Sequence, residues 1–158
     1  MDARGTAFTI PIGLRWADLD PNRHVRHSVY YDWGATARVA YLERQGVGVT
    51  WMARNNIGPV LFREEAKFLR EIRLGDELQI DVTLAATSPD GRKWRMRHHI
   101  LRGAELTCTI EVDGAWIDLQ ARKIAVPPAE VVRAFEGLAR TGDFAVLSSS
   151  KAVPASGG

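Results

Sequence analysis

Cysteine is almost absent from this chain, because Cys108 is the only one among 158 residues. A single cysteine cannot form an internal disulfide, and such scarcity is typical of proteins in a reducing compartment. The position of Cys108 within an alternating apolar run predicts a small core residue. Residues 1–13 carry charge early and lack the apolar run of a signal peptide. No segment approaches the roughly 18 uninterrupted apolar residues of a membrane span. We therefore expect a cytoplasmic protein with no membrane partner.

The chain also lacks a large excess of either positive or negative charge. The chain has 21 basic and 19 acidic residues, a net charge of +2, which is too small for a general nucleic-acid surface. The segment 92–102 is locally basic and contains Arg92, Lys93, Arg95, Arg97 and Arg102. A short cationic strand suits a phosphate-bearing small ligand as well as it suits RNA, and it can equally be a solvated face. The overall balance predicts no nucleic-acid partner.

The signatures of metal sites and of common nucleophiles are missing as well. Neither HExxH nor CxxC occurs, and there is no GxSxG elbow or GxxxxGK phosphate loop. Residues 18–29 begin like a calcium loop, but Arg23 stands where glycine is needed and Val29 cannot supply the closing carboxylate. His24 and His27 alone are too few for zinc. The sequence therefore disfavours a metal site.

The hydrophobic pattern predicts one strand, one long helix and then a succession of strands. The expected elements are a strand over 8–16, a helix from Ser28 to Gly46, strands over 60–72, 77–87, 92–102 and 105–112, and a terminal helix that starts at Pro127-Pro128. Ser28 is the expected N-cap. The ambiguous residues 49–57 fit one short helical turn. Asp113-Gly114 indicates either a hairpin leading to a strand over 115–126 or a glycine bulge inside one long bent strand.

This order of elements predicts one domain over residues 1–140 and a largely disordered tail over 141–158, where the last residues are small and polar. Strands in hairpin-like succession predict the α+β class with a mainly antiparallel sheet. The helix is unusually thin because of Gly34, Ala35, Ala37 and Ala40. A thin helix can come close to whatever covers it, so we expect the sheet to wrap around it.

Four ionisable side chains crowd the loop before this helix: Asp18, Asp20, His24 and His27. A carboxylate placed there faces the unpaired N–H groups of the helix N-terminus, and those groups can hold an oxyanion that develops on a substrate carbonyl. The carboxylate can attack the carbonyl or activate a water molecule. This arrangement suits acyl transfer from thioesters, because the thiolate leaves readily. A plain Asp-Pro-Asn turn explains the same residues without any catalysis.

The segment W-A-D-L-D-P-N-R-H-V-x-x-x-x-Y, residues 16–30, resembles a family signature, D-x-D-x-x-G/H-x-V-x-x-x-x-Y. The signature is that of hot-dog-fold acyl-coenzyme A thioesterases of the 4-hydroxybenzoyl-coenzyme A thioesterase type. The similarity continues through residues 37–43, 62–78 and 121–128, and includes the stretch R-x-G-D-x-L. The resemblance implies the hot-dog fold, in which an antiparallel sheet wraps around one long central helix.

The resemblance also implies an activity, the hydrolysis of an acyl- or aroyl-coenzyme A thioester to a free acid and coenzyme A. It makes Asp20 the catalytic carboxylate, as nucleophile or general base, and the backbone N–H of His27 the oxyanion donor. It places Arg92 and Lys93 against the coenzyme A phosphates, and Tyr30 is a candidate for the acyl pocket. Coenzyme A is part of the substrate, so no cofactor and no metal is implied. The expected assembly is a homodimer or homotetramer with active sites between subunits.

The chain departs from the family pattern at Arg26-His27, where many members carry Asn-Asn. A backbone donor survives that change, but any role of the asparagine side chain does not. His24 matches a common histidine of the family and is predicted to order the loop, or to take a minor part in proton transfer. Asp18 fits a turn or capping role better than that of a second catalyst.

Two other functions remain open for the same fold. A hot-dog enoyl-coenzyme A hydratase or dehydratase uses an Asp/His pair. Here Asp20 and His24 are four residues apart rather than five, and the His-Phe-Pro stretch of the dehydratase is absent. A non-catalytic acyl-coenzyme A-binding subunit is the alternative from another class.

Overall fold

The structure, a computed structural model, describes residues 7–149. In chain order its elements are β1 (Phe8–Ile12), α1 (His27–Arg44), α2 (Val49–Arg54), β2 (Ile57–Phe68), β3 (Leu78–Thr87), β4 (Lys93–Arg102), β5 (Glu105–Asp118), β6 (Lys123–Ile124), α3 (Ala129–Glu136) and β7 (Arg140–Val146). A 3-10 turn over Trp16–Asp18 lies between β1 and α1.

All of these strands belong to one sheet. Its main path runs β1-β3-β4-β5-β2 with antiparallel neighbours, while β6 pairs with β5 and β7 pairs with β3 in parallel. Helix α1 contacts β1, β2, β3 and β5, so it lies inside the curve of the sheet. The predicted α+β class, with an antiparallel sheet around one central helix, is confirmed.

The first turn of α1 is set by loop backbone bonds. The helix begins at His27 with Arg26 as its N-cap, and no side chain makes a capping hydrogen bond. The prediction of Ser28 as N-cap is therefore wrong. The Arg26 N–H donates to the Asp18 carbonyl at 2.8 Å, and the Val29 N–H donates to the Arg26 carbonyl at 3.0 Å. These bonds fix the start of the helix without a side-chain cap.

Strand β5 is continuous through Asp113-Gly114, so the hairpin alternative is wrong and the single long strand is confirmed. The bulge itself lies in the partner strand β2. Leu61 pairs with Gly114 and Arg63 pairs with Asp113, which leaves Phe62 as the extra residue. Gly114 is needed for close packing, because a Cβ there would lie 2.6 Å from the carbonyl oxygen of Val60.

Two strand boundaries differ from the sequence prediction. β1 ends at Ile12 rather than at residue 16, since its ladder with β3 stops where Ile12 meets Leu78, the first residue of β3. β2 ends at Phe68 rather than at residue 72, because the next two N–H groups both donate to the carbonyl of Thr107.

The C-terminal segment corrects the predicted domain boundary at residue 140. Residues 140–146 form β7, which pairs with the end of β3 that β1 leaves uncovered. Arg97 Nη1 donates to Asp143 Oδ1 at 2.8 Å and ties β7 to the outer face of the sheet. The predicted disordered tail is therefore wrong over 141–146, and residues 150–158 lie outside the described part.

A buried polar chain crosses from α1 to the sheet beside Gly34. Arg38 Nη1 donates to His98 Nε2 at 3.0 Å, and His98 Nδ1 donates to the Asp81 carbonyl at 2.7 Å. A Cβ on Gly34 would lie 3.3 Å from both Arg38 Nη1 and His98 Cδ2. The small residue predicted to thin the helix thus makes room for this contact.

Acid is expected to destabilise the fold through His98. Burial, reinforced by the Arg38 charge, lowers the pKa of His98 from 6.5 to about 4. The unfolded chain therefore binds a proton before the folded chain does, and stability falls as pH drops through this window. Between about pH 6.5 and pH 4.5 the loss should be about 2 kcal/mol. Urea unfolding of wild type and His98→Gln checks this, because glutamine keeps a donor and an acceptor but does not titrate. Equal pH dependence in both proteins would contradict the assignment.

Candidate active site

The loop between β1 and α1 is held by a buried carboxylate, Asp18. Its oxygens accept the Arg15 backbone N–H at 2.9 Å and the Arg15 Nη2 at 2.8 Å. The hydrogen bond from the Arg15 side chain is the main cause that keeps the pKa of Asp18 below its ordinary value. Both carboxylate oxygens of Asp18 are thus engaged within the loop.

Asp20 sits at the centre of a tight turn that uses only one of its oxygens. Oδ1 accepts the backbone N–H groups of Asn22 at 2.9 Å and His24 at 3.0 Å. The Asp20 N–H donates to the His24 carbonyl at 2.8 Å, and Arg23 adopts a left-handed φ of 63° to close the turn. Within the described residues Oδ2 accepts no hydrogen bond. The turn therefore fixes the carboxylate and leaves its second oxygen available for chemistry.

The N-terminus of α1 supplies the complementary donors. In residues 7–149, no acceptor takes the backbone N–H of His27 or of Ser28. The first N–H groups of a helix have no partner inside the helix, and they carry the positive end of its dipole. Two such donors that follow the Asp20 turn in the chain can stabilise a negative oxygen on a substrate.

A cleft of about 350 Å³ brings these groups together. One wall contains Asp20, His24, His27 and Tyr30, and the other is formed by residues 68–72, which follow β2. Four of the six residues predicted for the site therefore line one cleft. The second wall was not identified from the sequence.

Glu71 is a residue of that wall that contacts a predicted site residue, His24. Its Oε2 lies 3.3 Å from His24 Nε2. The Val25 N–H donates to the Ile72 carbonyl at 3.2 Å, so a backbone bond joins the two loops beside this pair. Glu71 falls within the 62–78 stretch that carries the family resemblance, but no spacing rule links it to His24. Only the tertiary meeting of the two loops reveals the contact.

Tyr30 joins the cleft to the core. It is only 4% exposed, and its ring packs against Phe68 with centroids 4.9 Å apart and against Trp33 at 5.3 Å. Burial is the main cause that raises the pKa of Tyr30 to about 12. The phenol therefore stays protonated near neutral pH and contributes an apolar ring with a polar tip to the cleft.

Arg92 and Lys93 do not line this cleft within one copy of the chain. They follow the hairpin at the far end of β3, whose 10 residues span about 30 Å. Arg92 Nε lies 3.1 Å from Asp90 Oδ2, and Lys93 is the first residue of β4.

Three further findings concern metal ligands, membrane spans and the cysteine in the described part of the chain. No group of three or more His, Cys, Asp and Glu side chains there could hold a metal ion. No helix there is long and apolar enough to cross a membrane. Cys108 is buried, and this burial raises the pKa of its thiol to about 12, so it is not a thiolate nucleophile.

The comparisons with known proteins bear on the family and the fold of the chain. Residues 14–135 match the model of the thioesterase-like superfamily, a span that contains the whole cleft. No curated protein sequence matches the chain.

Three solved structures show the same fold. Slr0204, a 1,4-dihydroxy-2-naphthoyl-CoA thioesterase from Synechocystis, has a TM-score of 0.73 and 19% identity, over 82% of this chain and 96% of that one. BH1999, a gentisyl-coenzyme A thioesterase, has a TM-score of 0.72 and 16% identity, over 81% and 99%. A thioesterase from Thermus thermophilus in complex with coenzyme A and Zn has a TM-score of 0.67 and 26% identity, over 80% and 90%. The chain belongs to the thioesterase-like superfamily and is a thioester hydrolase with the hot-dog fold.

Proposed function

We propose that this protein hydrolyses an acyl- or aroyl-coenzyme A thioester to the free acid and coenzyme A, with Asp20 as nucleophile or general base. The observation that carries the proposal is that Asp20, whose Oδ2 accepts no hydrogen bond among the described residues, lines the same cleft as His27, whose backbone N–H has no acceptor there. Membership of the superfamily supports thioester chemistry. The coenzyme A bound in the Thermus neighbour supports the choice of carrier.

The reaction follows from these two elements. Asp20 Oδ2 either attacks the thioester carbonyl or takes a proton from a water molecule that attacks it. The carbonyl oxygen becomes negative and accepts hydrogen bonds from the His27 N–H and its neighbour. The C–S bond then breaks and the coenzyme A thiolate leaves. In the nucleophilic route a water molecule afterwards hydrolyses the acyl-aspartyl anhydride.

His24 acts mainly through its backbone in this proposal. Its N–H and its carbonyl both bond to Asp20, so it holds the carboxylate in the turn. Its imidazole Nε2 lies 3.3 Å from Glu71 Oε2. A minor part in proton transfer, and any side-chain role of His27, stay predictions. A reducing, cytoplasmic location also stays a prediction.

The active assembly is proposed to be a homodimer formed along β2. This strand ends the main path of the sheet, so one of its edges pairs with no strand in the described chain. Leu61, Phe62 and Phe68 lie on it and are 40%, 58% and 52% exposed. A long edge with exposed apolar side chains is a template for pairing with another strand. A homotetramer stays a prediction of the resemblance.

Pairing of two β2 strands about a two-fold axis has a direct consequence for the site. Antiparallel pairing sets the Phe68 end of one copy beside the Ile57 end of the other. The Phe68 end borders the Asp20 cleft. The Ile57 end of the second copy therefore approaches that cleft.

Arg92 and Lys93, which follow the β3–β4 hairpin, lie at the same end of the sheet as Ile57. Val60 and Lys93 both pair with Ala115, so only β5 separates them. In the dimer, Arg92 and Lys93 of one copy therefore approach the cleft of the other. This arrangement supports their proposed role as ligands of the coenzyme A phosphates across the subunit interface.

Replacement of Phe62 by Glu is expected to convert the dimer to a monomer of 17.5 kDa. A carboxylate at the centre of the paired edge would have to be buried without a partner. Light scattering after size-exclusion chromatography measures the mass over a range of concentrations. Val146→Glu is the matched control, because Val146 is 71% exposed on β7, away from this edge. An unchanged mass for Phe62→Glu would exclude β2 as the interface.

A panel of coenzyme A esters tests the activity itself. Release of free thiol is followed for acetyl, hexanoyl, palmitoyl, benzoyl and crotonyl esters, and at least one should reach kcat/KM of about 10⁴ M⁻¹s⁻¹ or more. Loss of the enoyl absorbance of crotonyl-coenzyme A without thiol release would instead indicate a hydratase. Saturable binding without thiol release from any ester would indicate a binding subunit.

A further inference from the structure

A second cavity of about 380 Å³ lies between α1, α2 and the start of β2. Within one copy it shares no lining residue with the Asp20 cleft, and its wall of Ile57 and Leu61 belongs to β2, the strand along which the dimer is proposed to form. Its walls are almost entirely apolar and include Trp94, Trp116 and Phe135, which are themselves buried. A cavity of this size with mainly apolar walls and few polar groups is typical of a small-molecule site.

The charged group in this cavity is Arg38. It is the only charged residue that lines the cavity in the described chain, and it is 8% exposed. Its Nη1 donates to His98 Nε2 at 3.0 Å, whereas Nε and Nη2 have no acceptor within residues 7–149. The edge of a guanidinium formed by Nε and Nη2 is one that binds a carboxylate through two parallel hydrogen bonds.

The fold gives Arg38 no anion in direct contact. His98 is its hydrogen-bond partner, and the low pKa of this imidazole, about 4, keeps it neutral. Glu64 acts on Arg38 electrostatically, but among the described residues it makes no ion pair with Arg38 and it does not line the cavity. Burial lowers the pKa of Arg38, which reports the cost of holding this charge away from water. A ligand anion would offset that cost.

We propose that this cavity binds a monocarboxylate with an apolar body, a free fatty acid, whose carboxylate pairs with Nε and Nη2 of Arg38. The body of the ligand packs against Trp94 and Trp116. One cation among apolar walls favours ligands with one anionic group over ligands with a second charge, which would be buried without a partner. The site rests on the cavity and its charge, and it does not require thioester hydrolysis by Asp20.

Tryptophan fluorescence tests the proposal, because bromine quenches indoles that it contacts. We expect 12-bromododecanoate, below its micelle concentration, to quench wild-type fluorescence saturably. Its matched alcohol, 12-bromododecan-1-ol, should bind at least about tenfold more weakly, since it cannot form the charge-assisted pair. Arg38→Met should weaken the carboxylate to the level of the alcohol.

A second variant keeps the test decisive if Arg38→Met does not fold. Ala35→Phe adds a ring at an exposed helix position that lines the cavity and leaves Arg38 in place. It should bind neither probe while retaining the wild-type circular dichroism spectrum. Equal affinity of wild type for the two probes, unsaturable quenching, or wild-type binding by either variant would overturn the proposal. Asp20→Asn should bind the carboxylate like wild type, so a failure of the proposed hydrolysis would be seen separately.

Discussion

Replacement of Asp20 by Asn is expected to lower kcat/KM for acyl-coenzyme A hydrolysis by roughly 10²- to 10⁴-fold. Asparagine keeps an oxygen at Oδ1, so the hydrogen bonds from the Asn22 and His24 N–H groups survive and the turn is preserved. What is lost is the charged Oδ2 that attacks the thioester or activates water. The fall should appear in kcat, while KM changes little, because no binding contact to coenzyme A is removed.

Asp32→Asn is the matched control for this experiment. Asp32 is an exposed carboxylate on α1 that does not line the cleft, so its loss should leave kcat/KM unchanged. Thermal unfolding of both variants checks that neither has lost its fold. Hydrolysis by Asp20→Asn at the wild-type rate would remove Asp20 from the mechanism.

A single turnover in ¹⁸O-labelled water separates the two possible roles of Asp20. If Asp20 attacks and water then opens the anhydride at the aspartyl carbon, the first product carries an unlabelled oxygen from the enzyme and Asp20 gains the label. A general base places the label directly in the released acid. Mass spectrometry of the product and of the peptide containing Asp20 reads both positions.

Replacement of Gly114 by Ala is expected to destabilise the protein by roughly 3 kcal/mol, because it overpacks a buried contact between strands. The added Cβ would lie 2.6 Å from both Trp94 Cη2 and the Val60 carbonyl oxygen. Neither neighbour can move freely, since Trp94 is 2% exposed and packs on Phe135, and Val60 belongs to the β2 ladder. For a domain of this size, the melting temperature should fall by roughly 10 °C.

Gly142→Ala provides the comparison, because nothing lies within 4 Å of the position a Cβ would take there. Its stability should stay within about 0.5 kcal/mol of wild type. Differential scanning calorimetry measures both variants. Similar melting temperatures for the two would show that the sheet relaxes around Gly114, contrary to this expectation.

The order of strands and the central helix could be predicted from local signals. Turn residues such as Pro89-Asp90-Gly91 mark a hairpin, and the thin face of α1 indicates that a sheet comes close to it. The turn around Asp20 is local as well, with all its hydrogen bonds inside residues 20–24. These features depend on neighbours in sequence, which is why the pattern of residues was sufficient.

The features that escaped prediction depend on distant partners. β7 contains Gly142 and has no regular alternation, and it is a strand because it pairs with β3 and because Asp143 meets Arg97. Glu71 lines the cleft only because two loops join there. Arg26 rather than Ser28 is the N-cap of α1, because the carbonyl of Asp18 accepts the Arg26 N–H. Each of these outcomes depends on a contact beyond the immediate neighbours in sequence.

The sharing of one β3 edge by the two ends of the chain has a consequence for biosynthesis. β1 covers this edge from Leu78 to Val82, and the remainder up to Thr87 stays unpaired until β7 forms. A ribosome adding about 5 to 20 residues per second needs roughly 3 to 12 seconds to travel from Thr87 to Val146. During that interval the nascent chain presents an unpaired strand edge, the kind of surface that captures other chains. A lower elongation rate lengthens this exposure, and a lower concentration of nascent chains reduces the number of chains that the open edge can capture.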